Sequence, residues 1–205
     1  MTGLWIAVGV LAALLLALSA GLFLALAMGR AHLDLGFGRS IHQLGPISAT
    51  IRAPRELVFE VIAAPYRGQS STSEIEILAR SGDLVVARHH TRVHFYTAQT
   101  TEAVEFTPPT RVCFRHLSGP VPHAAEQFVL EDTDGVTELR YSGELGIDFF
   151  ILGRIAARRW VRPQWERVVQ AHIEDVKQRA EARAAFRAAG RSSGAGRDVG
   201  GTPPP

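Results

Sequence analysis

The stretch that decides the fold is ISATIRAPRELVF, residues 47–59, because a strand pattern changes into a helix pattern within it. Apolar Ile47, Ala49 and Ile51 alternate with polar residues, as in a strand that buries one face. Pro54 then stands near the first turn of a helix, where its missing N–H costs least. The buried face of that helix is supplied by residues at helical spacing, which are Leu57, Val58, Val61 and Ile62. The folded part of the chain therefore opens with a strand followed by a helix.

Beyond this helix, residues 74–143 follow a mostly two-residue period, which is typical of β-strands. Short turn clusters interrupt the period at 81–83, 107–109, 118–120 and 132–135. Because strands joined by short turns pair with their sequence neighbours, we expect an antiparallel sheet.

One long helix is predicted after the strands. Its apolar stripe recurs at helical spacing in Val161, Trp165, Val168, Val169, His172, Ile173 and Val176. Pro163 either kinks this helix or begins its main segment, with residues 149–160 as a separate helical piece. The order of these segments predicts an α+β fold in which a curved antiparallel sheet wraps around the last helix.

Several motifs resemble those of the START-like (SRPBCC) superfamily, which includes the polyketide cyclase/dehydrase and Bet v 1-like lipid-carrier proteins. They keep the family's order and are ISATIRAPRELVF (47–59), TEAVEFTPP (101–109), LSGP (117–120), DGVTEL (134–139) and VKQRAE (176–181). The resemblance covers the whole folded domain and implies a helix-grip fold with an elongated apolar cavity between the sheet and the last helix. Residues 65–73 depart from the pattern, because they lack the Trp that many members carry near the cavity mouth.

The N-terminal part of the chain is an uncharged apolar run from Leu4 to Met28. At about 1.5 Å of rise per residue, a helix of this length crosses a hydrocarbon core with some tilt. We interpret residues 4–28 as a single transmembrane helix. The alternative is a secretory signal peptide, because Ala25-Leu26-Ala27 resembles a cleavage site. Against it, no Lys or Arg precedes the run, and the run exceeds the roughly 7–15 residues of a signal core.

Basic residues flank only the C-terminal side of this run, at Arg30 and Arg39. The positive-inside bias therefore predicts a single-pass protein of the cell membrane whose C-terminal domain lies in the cytoplasm. We expect a linker at 29–40, a START-like domain at 41–187, and a disordered Gly-, Ser- and Pro-rich tail at 188–205.

Two segments beside the anchor have membrane-facing character. Leu33, Leu35 and Phe37 alternate in the linker and suit a membrane surface. A basic stretch in the final helical region consists of Arg154, Arg158, Arg159, Arg162 and Arg167. Such a stretch is either a solvated helix face or a contact for anionic head groups.

Composition excludes several classes of function. The net charge of +2, without a basic stripe, argues against nucleic-acid binding. The single cysteine, Cys113, excludes an intramolecular disulfide, and we interpret it as a small buried apolar residue. We expect no metal, because His90 and His94 lie about 13 Å apart along a strand. No phosphate-cradling glycine loop is present, so we expect no cofactor.

The candidate binding residues come mainly from the alternation of residues 84–97. One face of this strand carries Val85, Ala87, His89, Thr91, Val93 and Phe95, and the other is polar. His89 and Thr91 are therefore either hydrogen-bonded core residues or groups that orient the polar end of a ligand. Phe95 is a further cavity candidate on the same face. Trp165 and His172 on the last helix either line the cavity that the resemblance implies or pack in the core.

The leading functional hypothesis is a membrane-anchored, non-enzymatic module that holds a hydrophobic small molecule or lipid between sheet and helix. A cyclase/dehydrase-type enzyme with an inward-facing Glu or His is the first alternative. Glu102, Glu126 and Glu144 lie in strand segments, and the sequence does not choose among them as acid or base. The second alternative is an interaction platform at the membrane that binds no ligand.

Overall fold

A computed structural model describes residues 2–68, 74–93 and 96–195. The helices and strands are α1 (Thr2–Ala27), β1 (Ser40–Ile51), α2 (Arg55–Ala63), β2 (Ile75–Ser81), β3 (Leu84–Val93), β4 (Tyr96–Thr107), β5 (Arg111–Ser118), β6 (His123–Thr133), β7 (Val136–Ile147), α3 (Phe150–Ala156) and α4 (Arg162–Ala195). A 3-10 turn, Ala64–Arg67, follows α2, and a π-helical turn, Ala157–Val161, joins α3 to α4.

The strands form one seven-stranded antiparallel sheet in the order β1-β7-β6-β5-β4-β3-β2. Consecutive strands from β2 to β7 pair as hairpins, and β1 closes the sheet by pairing with β7. The predicted α+β helix-grip architecture, with a curved sheet around a long C-terminal helix, is confirmed. β1 begins at Ser40, earlier than its alternation indicates, because a bulge between Leu44 and Ile47 interrupts the two-residue period.

The hydrophobic core lies between the inner face of the sheet, α2 and α4. α4 packs mainly on α2 and β1. Its predicted stripe is buried at Val169, Ile173 and Val176, and the stripe continues to Ala180. Pro163 stands in the first turn of α4. The predicted separate piece is instead continuous with α4, because α3 runs into it through the π-helical turn without a break in the helical backbone.

One end of the sheet is the end at which α1 meets the domain. Because neighbours are antiparallel, the starts of β1, β4 and β6 meet the ends of β3, β5 and β7 there. α1 leads into this end, since the Gln99 N–H donates to the Met28 carbonyl at 3.0 Å. Gly29 makes the approach possible, because a Cβ at this position would lie 1.9 Å from the Gln99 oxygen. We call this end of the sheet the anchor end.

α1 is the one helix in the described part of the chain that is long and apolar enough to cross a membrane, over Gly3–Leu26. None of that segment is buried against the domain. A signal sequence near an N-terminus has the same length and composition.

The C-terminal helix is longer than the sequence boundaries indicate. α4 continues to Ala195, so residues 188–195 are helical, although the sequence predicts a disordered tail there. The alanines that precede Gly190 favour helix strongly and carry it past the last core contact. Residues 196–205 lie outside the described residues. The predicted linker, 29–40, is also held by hydrogen bonds to the domain.

Candidate functional site

Polar side chains gather on the inner face of the sheet, in the half nearer the anchor end. Glu102 lies opposite Ala87 on one side and His116 on the other. Glu126 pairs with Phe114, two residues before His116 on the same strand. Because opposite residues and residues two apart share a face, β3 to β6 project these groups into the same space.

The first group is a carboxyl between two imidazoles. Glu102 Oε2 lies 3.6 Å from His89 Nε2, and Glu102 Oε1 lies 4.0 Å from His116 Nδ1. Both distances exceed those of a hydrogen bond. The exposed fractions of the side chains are 17% for His89, 13% for Glu102 and 1% for His116. This group is therefore enclosed, and its members are not bonded to one another.

Three imidazole nitrogens in this group have no hydrogen-bond partner among the described residues: His89 Nε2, His116 Nδ1 and His116 Nε2. Buried polar groups in native proteins are nearly always paired, and an unpaired one costs about 1–3 kcal/mol. The arrangement therefore suits a further hydrogen-bonding molecule in the interior.

Burial sets the protonation of this group. Desolvation raises the pKa of Glu102 to about 7 and lowers the pKa values of His89 and His116 to about 4. Near neutral pH both imidazoles are neutral, so each offers one donor and one acceptor. The Glu102 carboxyl is then close to half-protonated.

The second group surrounds Glu126. Its Oε1 accepts hydrogen bonds from the Tyr141 hydroxyl at 2.9 Å and from the Trp165 indole N–H. Burial, aided by the charge of Glu102, raises the pKa of Glu126 to about 7. Tyr141 comes from β7 and Trp165 from α4, so this carboxyl joins the sheet to the last helix.

Aromatic rings line the space around both groups. The Tyr66 ring, from the 3-10 turn after α2, lies 5.8 Å from the His89 ring. The Phe128 ring on β6 packs edge-on against Phe114 at 5.7 Å and stacks on His172 of α4 at 5.9 Å. The site thus combines aromatic surface with a few polar groups, as small-molecule sites do.

His172 lies on α4 beside this interior and stacks on Phe128 of β6. Desolvation by the surrounding protein lowers its pKa.

The structure brings four of the five predicted binding residues to this interior. His89 and Thr91 lie on the inner face of β3, Trp165 bonds Glu126, and His172 stacks on Phe128. Phe95 lies outside the described residues. That these side chains bind a ligand stays a prediction.

Sequence reasoning did not choose the two glutamates that face inward. Glu102 shares the parity of buried Val104 on β4, and His116 shares that of buried Val112 on β5. This parity was the available signal. His116, Tyr66 and Tyr141 were missed. Glu144, the third candidate, points the other way and pairs with His123 at 3.0 Å.

The outer face of the sheet carries a separate groove of about 470 Å³, lined by residues that include Glu105, Cys113 and Arg115. Cys113, predicted to be buried, is half-buried there because the inner positions of β5 go to Val112 and Phe114. Within the described ranges, no three His, Cys, Asp or Glu side chains form a group suited to a metal ion.

The sequence matches no protein-family model and no curated protein. Its structure resembles TTHA0849 from Thermus thermophilus with a TM-score of 0.59 and 17% identity, over 70% of this chain and 99% of that one. It also resembles the aromatase/cyclase Zhui from Streptomyces sp. R1128, with a TM-score of 0.53 and 21% identity, over 80% of this chain and 99% of that one. At such identities the likeness shows the fold.

A third similar structure is BexL, the di-domain aromatase/cyclase of the BE-7585A biosynthetic pathway, with a TM-score of 0.58 and 18% identity. The match covers 70% of this chain and 50% of BexL, so this chain spans about half the length of that protein. Two of these three structures are aromatase/cyclases by name, and at these identities the likeness extends to the fold alone.

Proposed function

We propose that this chain, which has the Bet v 1-like helix-grip fold, is a membrane-anchored module that binds a hydrophobic small molecule or lipid between its sheet and α4. The observation that carries the proposal is the set of unpartnered nitrogens of His89 and His116, among the described residues, inside an aromatic-lined interior. In this proposal α1 is a retained single span of the cell membrane, and the domain lies in the cytoplasm.

The chemistry of the interior favours a neutral ligand that carries hydroxyl or carbonyl groups. The two inward carboxyls, Glu102 and Glu126, disfavour an anion, because like charges repel in a poorly solvated site. Neutral imidazoles hydrogen-bond to hydroxyls and carbonyls equally well. The apolar body of the ligand would lie against Phe114, Phe128 and Tyr66.

The test is native mass spectrometry of the full chain released from detergent, with identification of the bound small molecule. We expect one retained apolar molecule. Its association constant should fall about 2- to 12-fold in His89→Ala or His116→Ala, because one hydrogen bond is worth ~0.5–1.5 kcal/mol. His90→Ala, on the opposite face of β3, is the matched control and should bind normally. An interior that is empty in every preparation, or equal losses in all three variants, would contradict the proposal.

A second candidate function is acid–base catalysis of the cyclase/dehydrase type. The specific observation in its favour is that Glu102 and Glu126 both have pKa values raised to about 7, the range in which a carboxyl both donates and accepts protons at neutral pH. The two functions differ in what happens to the bound molecule. An enzyme would release it with the loss of water, and Glu102→Gln would stop that change without preventing binding.

A further inference from the structure

Large apolar side chains are exposed at the anchor end of the domain. The most exposed are Ile151 at 70%, Leu152 at 75% and Trp160 at 67%. We define the apolar ridge as Phe37, Phe150, Ile151, Leu152, Ile155 and Trp160. Soluble domains seldom expose such a contiguous apolar group unless it is an interaction surface.

The backbone holds the ridge in a strained conformation. Phe149 has φ +75° and Phe150 has φ +48°, values that bulky side chains rarely adopt. The Phe149 and Phe150 N–H groups donate to the carbonyls of Phe37 and Gly38 at 3.2 and 2.9 Å. The Phe37 and Phe150 rings meet edge-to-face at 4.7 Å. These contacts keep Ile151 and Leu152 directed outward.

A buried carboxylate fixes the linker beside the ridge. Asp148, which is 2% exposed, accepts hydrogen bonds from the Leu35 N–H at 2.9 Å, the Gly36 N–H at 3.1 Å and Arg39 Nε at 2.8 Å. Because residues 28–39 are hydrogen-bonded across the anchor end, from Gln99 on β4 to Asp148 after β7, the ridge and the exit of α1 lie at the same end of the sheet.

Positive charge accompanies the ridge. Arg154, Arg158 and Arg159 lie between or beside its members on α3 and the π-helical turn, and all three are exposed. The pKa of His42, near the start of β1, is lowered mainly by burial and further by the charges of Arg158 and Arg154. Exposed apolar side chains with flanking arginines are the composition of a segment that lies in the interface of an anionic bilayer.

We propose that the apolar ridge inserts into the anionic surface of the bilayer that α1 spans. This inference rests on the proposed function, because it takes α1 as a membrane span. The bilayer is the occupant because the hydrogen-bonded linker holds the ridge at the same end of the sheet as the exit of α1. Docking places the polar half of the interior next to the bilayer, so that an apolar ligand passes between lipid and site without crossing water.

The experiment is spin-label EPR on the full chain in nanodiscs, with oxygen and an aqueous nickel chelate as the relaxing agents. Cys113→Ser removes the single cysteine, and labels are then placed with Leu14→Cys in α1, Leu152→Cys in the ridge, or Phe186→Cys on α4. Phe186 is the matched control, because it is an apolar side chain that is 81% exposed near the other end of α4. In discs that contain phosphatidylglycerol, we expect oxygen to reach the labels at 14 and 152 and nickel to reach the label at 186.

The outcomes separate the proposal from its premise. If nickel reaches the labels at 152 and 186 equally while the label at 14 is in lipid, docking is wrong and the span stands. If nickel reaches the label at 14, the span itself is wrong. If neither agent reaches the label at 152, protein covers the ridge and the bilayer is the wrong occupant.

The charge dependence is tested with the same label at 152. Substituting Arg154, Arg158 and Arg159 by Gln should shift this label toward water in anionic discs. Arg183→Gln with Arg187→Gln, two exposed positions near the other end of α4, is the matched control and should leave it in place. No shift in the first variant would overturn the anionic surface as the occupant.

Discussion

At the scale of single residues, the inner histidines and glutamates link folding to pH in opposite directions. The folded-state pKa of Glu102 is about 7, against an ordinary value of 4.5, so between these values the folded protein holds more protons than the unfolded chain. Its contribution to stability therefore falls as pH rises through that window. The pKa values of His89 and His116 are lowered from 6.5 to about 4, so their contribution is present above pH 6.5 and is lost as pH falls toward 4.

Replacing Glu102 with Gln removes the carboxyl whose contribution to stability falls as pH rises. We expect the unfolding free energy of Glu102→Gln, relative to the unsubstituted protein, to increase from about pH 4.5 to pH 7 and then stay level. Denaturant unfolding of the full chain in detergent across that pH range measures it. Glu105→Gln, on the exposed face of the same strand, is the matched control. A difference for Glu102→Gln that is constant across the pH range would mean that burial does not raise the pKa of Glu102.

At the scale of elements, Asp148 decides whether the linker belongs to the domain. It lies just after β7 and binds a segment that precedes β1, so it connects the two strands that close the sheet to the chain arriving from α1. The guanidinium of Arg39 and the backbone N–H groups of Leu35 and Gly36 hold the pKa of Asp148 below its usual range. Hydrogen bonds to an ionised, buried carboxylate are worth about 1.5–3 kcal/mol each.

Asp148→Asn removes that charge with little change in shape. We expect the amide hydrogens of Leu35 and Gly36 to exchange at least about 10-fold faster in this variant, because a lost charged hydrogen bond of ~1.5 kcal/mol corresponds to that factor. Hydrogen-exchange mass spectrometry of the full chain in nanodiscs measures the change. Asp34→Asn is the control, because the half-exposed Asp34 carboxylate contacts Arg39 but neither of the two N–H groups. It should change the exchange of the Leu35 and Gly36 amide hydrogens less. Equal effects in the two variants would contradict the role of Asp148.

At the scale of the whole molecule, α1 meets the domain at the anchor end of the sheet. In the proposed function, the side of the membrane on which the domain lies sets which ligands it encounters. Arg30 and Arg39 flank only the domain side of the apolar run. The positive-inside bias therefore predicts a cytoplasmic domain.

Reporter fusions at the C-terminus test this orientation. We expect activity from a reporter that works only in the cytoplasm and none from one that works only outside. Activity of the outside reporter would reverse the orientation. A mature N-terminus near Gly29 would show that the apolar segment is a cleaved signal peptide.

The sequence by itself determined what depends on local period. It determined the order of strand, helix, antiparallel strands and long helix, and the apolar segment at residues 4–28. It also determined that His89 lies on the inner face of its strand. Each of these follows from the spacing of apolar residues that are close in the sequence. It did not identify Glu102 and Glu126, rather than Glu144, as the inward-facing glutamates, although the alternation along each strand partly indicates which side chains face inward.

Only the tertiary structure decided which polar groups meet. His89, Glu102 and His116 lie on three strands, and alternation gives the face of each side chain but not the register that brings them within 4.0 Å. The attachment of the linker to Asp148 joins segments that are 109 to 113 residues apart, and it has no local signature. Contacts of this kind arise from strand pairing and loop closure across the whole chain, so the site and the apolar ridge appear only when the sheet is assembled.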